Sequence, residues 1–163
     1  MNQKFILSLL LSVTLPLAAC GFQLLSDYSF PSEFGSVYVE SRVPTQGLII
    51  TLMQGLDTRT TKVVQNRADA TAVLRIISAS FNQRTLSFDS RGRPREFELS
   101  YIVEFDVTTD KGEFLPKQSI SLTRDYEFDG VDISAGGNQR EIIRRDLEVQ
   151  MARSILRRIA AQA

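Results

Sequence analysis

The chain has 163 residues, with 19 basic and 19 acidic side chains, one cysteine and no histidine. Balanced charge argues against a nucleic-acid partner held by bulk positive potential, and the lack of histidine removes the commonest general base and metal ligand. We therefore expect no catalytic residue, no metal site and no bound cofactor. Any anionic ligand must be bound by a local cluster of basic side chains, because the chain as a whole has no net positive charge.

The first 19 residues have the features of an export signal. Lys4 precedes an apolar run over 5–15, and two alanines stand directly before Cys20. The run is shorter than the about 20 apolar residues of a membrane-spanning helix. We expect cleavage before Cys20 and attachment of diacylglyceryl and N-acyl lipid to its thiol, as in a bacterial lipoprotein. A secretory signal with an incidental cysteine is the alternative.

The residue after the cysteine bears on location. Gly21 lacks the negative charge that usually marks lipoproteins retained at the inner membrane, which favours the outer membrane. Removing 19 of the 163 residues leaves 144, enough for one domain with its own core. We predict a lipid-anchored leader over 20–35 and a single domain over 36–163.

The first half of this domain predicts two strands and a helix. Residues 36–41 alternate apolar and polar side chains, as in a short strand. Pro44 ends it, and Thr45 can cap a helix that extends to about Arg59. The helical stripe consists of Leu48, Ile49, Leu52, Met53 and Leu56. A second strand is predicted over 72–81, continuing raggedly to 88, with burial at the sheet centre or a bulge around 78–82 explaining its mixed faces.

The clearest pattern is a period of two between residues 96 and 108. Its large side chains are Phe97, Leu99, Tyr101, Val103, Phe105 and Val107. A turn at 110–112 leads to a return strand over 120–128. The second, third and fourth strands therefore form an antiparallel meander.

A long amphipathic helix is predicted to close the chain. Asn138 and Glu141 have the N-cap and third-residue spacing of a helix start. Apolar residues recur at Ile143, Leu147, Met151, Ile155 and Ile159. Arginines occupy the rest of its surface, as a solvated face or a docking surface. The element order predicts an α+β fold, a four-stranded mixed sheet with an antiparallel meander and two helices packed on one face.

The best candidate site is the connection between the second and third strands. Arg91, Arg93 and Arg95 lie there on a short loop, and forked guanidinium donors suit phosphate oxygens. Arg84 can add a fourth. In a meander, the segment 125–137 should neighbour this loop, where Asp129 and Asp132 could pair with the arginines. A solvated turn is the alternative interpretation.

Several short matches, in order along the chain, give it a family resemblance. They are Cys20-Gly21-Phe22 with Leu24, Ala68-Asp69-Ala70, Leu74-Arg75-Ile76, Glu96-Phe97-Glu98-Leu99, Arg124-Asp125-Tyr126, and Glu141 and Leu156 in the final helix. With these the chain resembles the LPS-assembly lipoprotein family, LptE. The resemblance implies a four-stranded sheet with two helices.

The resemblance also implies a function. Such proteins plug the large β-barrel LptD at the outer membrane, help it assemble, and assist delivery of lipopolysaccharide to the cell surface. They bind lipopolysaccharide through basic loops at one end of the sheet, and Arg91, Arg93 and Arg95 lie in the corresponding loop. The loop before the final helix departs from the family pattern, because here it is acidic and contains no lysine.

Two other functions remain open from the sequence. One is a free-standing periplasmic lipoprotein that acts as an adaptor, or carries a small amphiphile between sheet and helices. The other is a hydrolase built on carboxylates, although no motif or apolar setting singles out a pair of acids.

Overall fold

The computed structural model describes residues 28–127 and 133–162. Cys20, Asp129 and Asp132 lie outside this part of the chain. The elements, in order, are β1 (Ser36–Ser41), α1 (Gln46–Leu56), β2 (Lys62–Val63), a 3-10 turn (Arg67–Asp69), β3 (Ala72–Phe88), β4 (Pro94–Thr109), β5 (Gly112–Glu127) and α2 (Ile133–Ala160). Neither described helix is both long and apolar enough to cross a bilayer.

The sheet has five strands, so the predicted number of four is wrong. Their order is β2-β1-β3-β4-β5, with β2 and β3 parallel to β1. The antiparallel meander β3-β4-β5 is confirmed. The additional strand, β2, has only two residues and thus no periodicity. It forms through two backbone hydrogen bonds of 3.0 Å. The Lys62 amide donates to the carbonyl of Gly35, which precedes β1, and the Val64 amide donates to the carbonyl of Val37 within β1.

Both helices cover one face of the sheet, where the core lies. The strands contribute the alternating residues predicted for them, among them Val37, Leu74, Ile76, Leu99, Val103, Phe105 and Val107. The helices contribute Leu48, Leu52, Leu56, Leu147, Met151, Ile155 and Ile159. Phe30 and Phe34, which belong to the predicted leader, are also buried in this core.

The two helices run parallel and approach each other closely. A Cβ added at Gly47 would lie 1.9 Å from Glu148 Oε2, and one added at Gly55 would lie 2.3 Å from Leu156 Cδ1. The Thr51 hydroxyl, between the two glycines, donates to the Gly47 carbonyl at 2.8 Å. Glycines that weaken an isolated helix therefore allow α1 to lie against α2.

Two of the long strands agree only in part with the prediction. β3 reaches Phe88 as predicted, and an irregularity that leaves one extra residue on it lies between Ile76 and Ser78, at the start of the predicted 78–82. β5 begins directly after the turn rather than at residue 120. Its first half contains Pro116, which breaks the alternation but is tolerated because β5 is an edge strand.

Both predicted helix starts need correction. α2 already begins by Ile133 and passes through residues 136–138, so Asn138 is not its N-cap. Thr45 does occupy the N-cap position of α1, but its hydroxyl is buried and has no hydrogen-bond partner among the described residues. α1 ends at Leu56 and not near Arg59. The next residue, Asp57, caps this end, and its amide donates to the Met53 carbonyl at 3.1 Å.

Candidate anion-binding loop and polar sheet face

The β3–β4 connection is a tight turn organised by Asp89. Asp89 Oδ1 accepts the backbone amides of Arg91 at 2.8 Å and Arg93 at 2.9 Å. The Asp89 amide donates to the Arg93 carbonyl at 2.8 Å. Gly92 has φ of +74°, which glycine adopts without strain. The turn therefore holds its arginines by backbone geometry.

The three predicted arginines differ in their environments. Within the described residues, no carboxylate pairs with the Arg91 guanidinium, which is exposed. Arg93 Nε donates to Asp89 Oδ2 at 2.8 Å. The backbone amide of Arg93, followed by its guanidinium and the Arg91 amide, lowers the pKa of Asp89. The carboxylate thus stays charged and keeps the turn closed.

Arg95 does not lie in the loop as predicted, because β4 already begins at Pro94. Its Nε donates to Glu127 Oε1, at the end of β5, at 2.6 Å. This ion pair confirms that the end of β5 lies next to the arginine turn. The two acids predicted to neighbour the turn, Asp129 and Asp132, fall outside the described residues.

Arg84 is not a fourth member of the turn. It lies within β3 and forms two hydrogen bonds across to Glu98 on β4, at 2.7 and 3.1 Å. These bonds raise the pKa of Arg84 and lower that of Glu98. Arg91 is therefore the arginine of this set that is most available to an external anion.

Two apolar side chains near the turn were missed by the sequence analysis. Phe88 is 63% exposed and Leu86 is 42% exposed, both at the end of β3. The ragged pattern beyond residue 81 gave the only available signal. The end of the hairpin thus combines an unmatched guanidinium with exposed apolar surface.

The sheet face opposite the helices is polar, and four ion pairs within the chain lie on it. We call it the polar sheet face; its ion pairs are Arg67–Glu40, Arg75–Asp106, Arg84–Glu98 and Lys117–Glu104. The hydroxyl of Ser78 also donates to Glu104 at 3.0 Å. Bonds from Lys117 and then Ser78 lower the pKa of Glu104. The cations of these four pairs are thus matched within the chain, while Asp125, opposite Glu98 on β5, is exposed and makes no ion pair among the described residues.

A second polar cluster lies between the helices. Arg144 donates to Glu148 at 2.8 Å and to Glu141 at 2.9 Å. Glu148 is buried, and burial raises its pKa despite the nearby Arg144. Burial also raises the pKa of Tyr101 to about 12, and its hydroxyl has no hydrogen-bond partner among the described residues. The charged members of this cluster all lie on α2, where Glu148 faces Gly47 of α1, and the cluster lies apart from the arginine turn.

No group of three or more potential metal ligands occurs within residues 28–127 and 133–162. Several acids of the sheet, among them Asp106, Glu98 and Glu104, are instead paired with arginine or lysine. The arrangement is suited to binding and docking, with Arg91 and Phe88 presented at one end.

Solved structures with this fold define the class of protein. The rare lipoprotein B of Shewanella oneidensis is similar with a TM-score of 0.68 and 28% identity, over 77% of this chain and 94% of that one. The uncharacterized lipoprotein B of Nitrosomonas europaea gives a TM-score of 0.69 and 30% identity, over 86% and 91%. The chain thus has the α+β fold of these small lipoproteins.

The family follows from the sequence comparisons. The family model for LptE, described as lipopolysaccharide-assembly, matches residues 34–159, and the chain belongs to this family. The LPS-assembly lipoprotein LptE of Photorhabdus laumondii is 27% identical over 155 residues, covering 94% of this chain and 85% of the relative. That of Yersinia enterocolitica is 27% identical over 98% of this chain and 77% of the relative. The predicted family is confirmed.

Proposed function

We propose that this chain is a non-catalytic outer-membrane subunit of the lipopolysaccharide translocon. It is anchored by lipid on Cys20, plugs the LptD barrel and helps it assemble. It contacts lipopolysaccharide through the arginine turn during delivery to the outer leaflet. Family membership supports the general role in lipopolysaccharide assembly.

The two-sided sheet is the main structural support for a plug. One face is sealed by helices, and the polar sheet face carries ion pairs that are already satisfied. Large outer-membrane barrels have polar interiors, and such a lining suits a polar face whose arginines and lysine are already matched within the chain. The same core argues against a carrier, because apolar side chains fill the space between sheet and helices where an amphiphile would lie.

The length of the hairpin supports lipid contact far from the anchor. β1 and β3 start at the same end of the sheet, where the leader enters the domain. β3 has 17 residues, and at about 3.3 Å per residue it extends at most about 55 Å. A bilayer with its headgroups is about 40–45 Å thick. A turn at the far end of β3 can therefore approach the leaflet opposite the anchor.

Co-purification tests the plug. The acylated chain, extracted in mild detergent and affinity-purified, should recover a large outer-membrane barrel in equal amount. The control places residues 1–27 before an unrelated domain, so that it shares the anchor and lacks the fold. Recovery of this chain alone, or of the barrel with the control, would contradict the plug.

The Arg91→Ala variant tests the arginine turn. Since Arg91 makes no ion pair among the described residues, its loss should leave the fold unchanged and weaken lipopolysaccharide binding. A hydrogen bond to a charged group contributes about 1.5–3 kcal/mol, which corresponds to roughly 10-fold or more in affinity. Removing Arg93 and Arg95 as well should weaken binding further.

Arg84→Ala is the matched control for this experiment. It removes the same charge from the same hairpin, but from an arginine whose guanidinium is already paired with Glu98. If Arg84→Ala weakens binding as much as Arg91→Ala, the effect comes from net charge and the turn is not the site. Intact mass of the membrane-extracted protein tests the anchor separately, since an unmodified Cys20 would exclude it.

A further inference from the structure

We propose that the adjacent ends of α1 and α2 form a docking surface for the headgroups of anionic phospholipids. Its cationic residues, which we call the helix-end patch, are Arg59, Arg153, Arg157 and Arg158. The inference rests on the proposed lipid anchor, because the anchor brings this end of the domain to a membrane.

The topology places these residues at one end of the molecule. The close contacts of Gly47 with Glu148 and of Gly55 with Leu156 show that α1 and α2 run in the same direction. Both helices therefore end on the same side. The segment after α1 returns to the start of β1, where the Lys62 amide donates to the Gly35 carbonyl at 3.0 Å. The patch thus lies at the end where the chain enters the domain.

The arginines of the patch are exposed and lack carboxylate partners among the described residues. Arg153 and Arg157 are four residues apart, so they lie on one helix face. Arg157 donates to the Ser154 hydroxyl at 3.1 Å, which leaves its charge unmatched. Elsewhere on α2, Arg144 and Arg145 both pair with Glu141. Along α2, the arginines Arg144 and Arg145 are thus neutralised by a carboxylate, whereas within the described chain the arginines near the end of the helix are not.

Other charges at this end largely cancel. Lys62 pairs with Asp57 at 3.0 Å, and Lys111 pairs with Glu33 at 2.6 Å. Asp69 and Asp110, which make no ion pair among the described residues, lie at this end on the connections that precede β3 and β5 and not on a helix. The unmatched charge that the two helix ends carry is therefore positive, which is complementary to phosphate.

The anchor limits how far this end can stand from the bilayer. Seven residues, 21–27, separate the lipidated cysteine from the first described residue. Fully extended, the chain from Cys20 to that residue spans at most about 29 Å. Each arginine close to an anionic surface strengthens binding about fivefold. Docking of the patch would direct the long axis of the hairpin, and with it the arginine turn, away from the leaflet that holds the anchor.

Arginine-specific labelling with 4-hydroxyphenylglyoxal, read by mass spectrometry, tests this surface. The acylated chain is placed in phosphatidylcholine vesicles, or in vesicles that also contain phosphatidylglycerol. We expect phosphatidylglycerol to lower the labelling rate of the helix-end patch about fivefold or more, and high salt to restore it. Arg91, exposed at the opposite end, serves as the internal control and should keep its rate.

Charge variants complete the test. Replacing Arg153, Arg157 and Arg158 with glutamine should abolish the protection of Arg59, while replacing them with lysine should retain it. Equal labelling in both vesicles would overturn the proposal and leave these arginines with only the role of offsetting the helix C-terminal dipole. Equal protection of Arg91 would also overturn it, as a general charge effect. The intact mass of the same sample reports whether Cys20 is lipidated. Failure of the anchor is therefore distinguishable from failure of the helix-end patch to bind headgroups.

Discussion

Replacing Gly47 with alanine tests the close approach of the two helices. The new Cβ would lie 1.9 Å from Glu148 Oε2, where about 3.4 Å is ordinary contact. The carboxylate would have to rotate away from Arg144, with loss of a charged hydrogen bond of about 1.5–3 kcal/mol. Alanine returns about 1 kcal/mol of helix propensity. We expect a net destabilisation of about 0.5–2 kcal/mol.

The same substitution should change sign once Glu148 is truncated. In a Glu148→Ala background the clashing oxygen is absent, and the Glu148 Cβ lies at 3.9 Å from the new methyl. Gly47→Ala should then stabilise by about 1 kcal/mol. The coupling between the two sites, about 1.5–3 kcal/mol, exceeds the roughly 0.5 kcal/mol within which independent sites add.

Urea unfolding, followed by far-UV circular dichroism, measures all four members of this cycle. The individual effect of Glu148→Ala cancels in the coupling, and Arg144 keeps its bond to Glu141. Additive effects of the two substitutions would refute the proposed steric contact between the helices.

Three further predictions concern the core and the charged residues. Phe34→Ala should lower the free energy of unfolding by about 3–5 kcal/mol, measured by urea unfolding, because Phe34 is fully buried. Tyr101→Phe should leave stability unchanged or raise it by up to about 1 kcal/mol, since the buried hydroxyl has no described partner; a clear loss would reveal a bond to this group. Glu141 has its pKa lowered to about 2 by Arg144 and then Arg145, against an ordinary value of 4.5. The contribution of its ion pairs to the free energy of unfolding is present above the unfolded pKa and is lost as the pH falls from about 4.5 toward 2. Glu141→Gln should therefore reduce the dependence of stability on pH over this acid range, measured by urea unfolding. An unchanged pH profile would contradict the pairing.

The parts of the fold with strong periodicity were predictable from the sequence. The alternation of Phe97 to Val107 identified a central strand because one side of it meets the core. The meander and the two helices followed from similar patterns. β2 was missed because two residues carry no period, and their pairing depends on the path of β1.

Helix boundaries were less predictable for a physical reason. Asn138 and Glu141 have the spacing of a capping box, but the helix continues through them and Glu141 pairs with Arg144 and Arg145. Likewise, Gly47 and Gly55 lower the propensity of α1, and only the position of α2 explains them. The local sequence therefore cannot predict features of one helix that depend on where another helix packs.

The candidate site shows the same division. Sequence located the arginine turn and its position next to the end of β5. Sequence did not distinguish Arg91 from Arg93 and Arg95, because all three have the same chemistry and differ only in which acid lies within reach. The exposure of Phe88 also depends on which elements pack against the end of β3, and the local pattern does not contain that information.

The polar sheet face has a consequence for any protein that lies against it. Arg75, Arg84 and Lys117 already have their counter-ions on the next strand of the same chain. A neighbour therefore does not have to supply counter-ions for these three cations and can face them with neutral hydrogen-bonding groups.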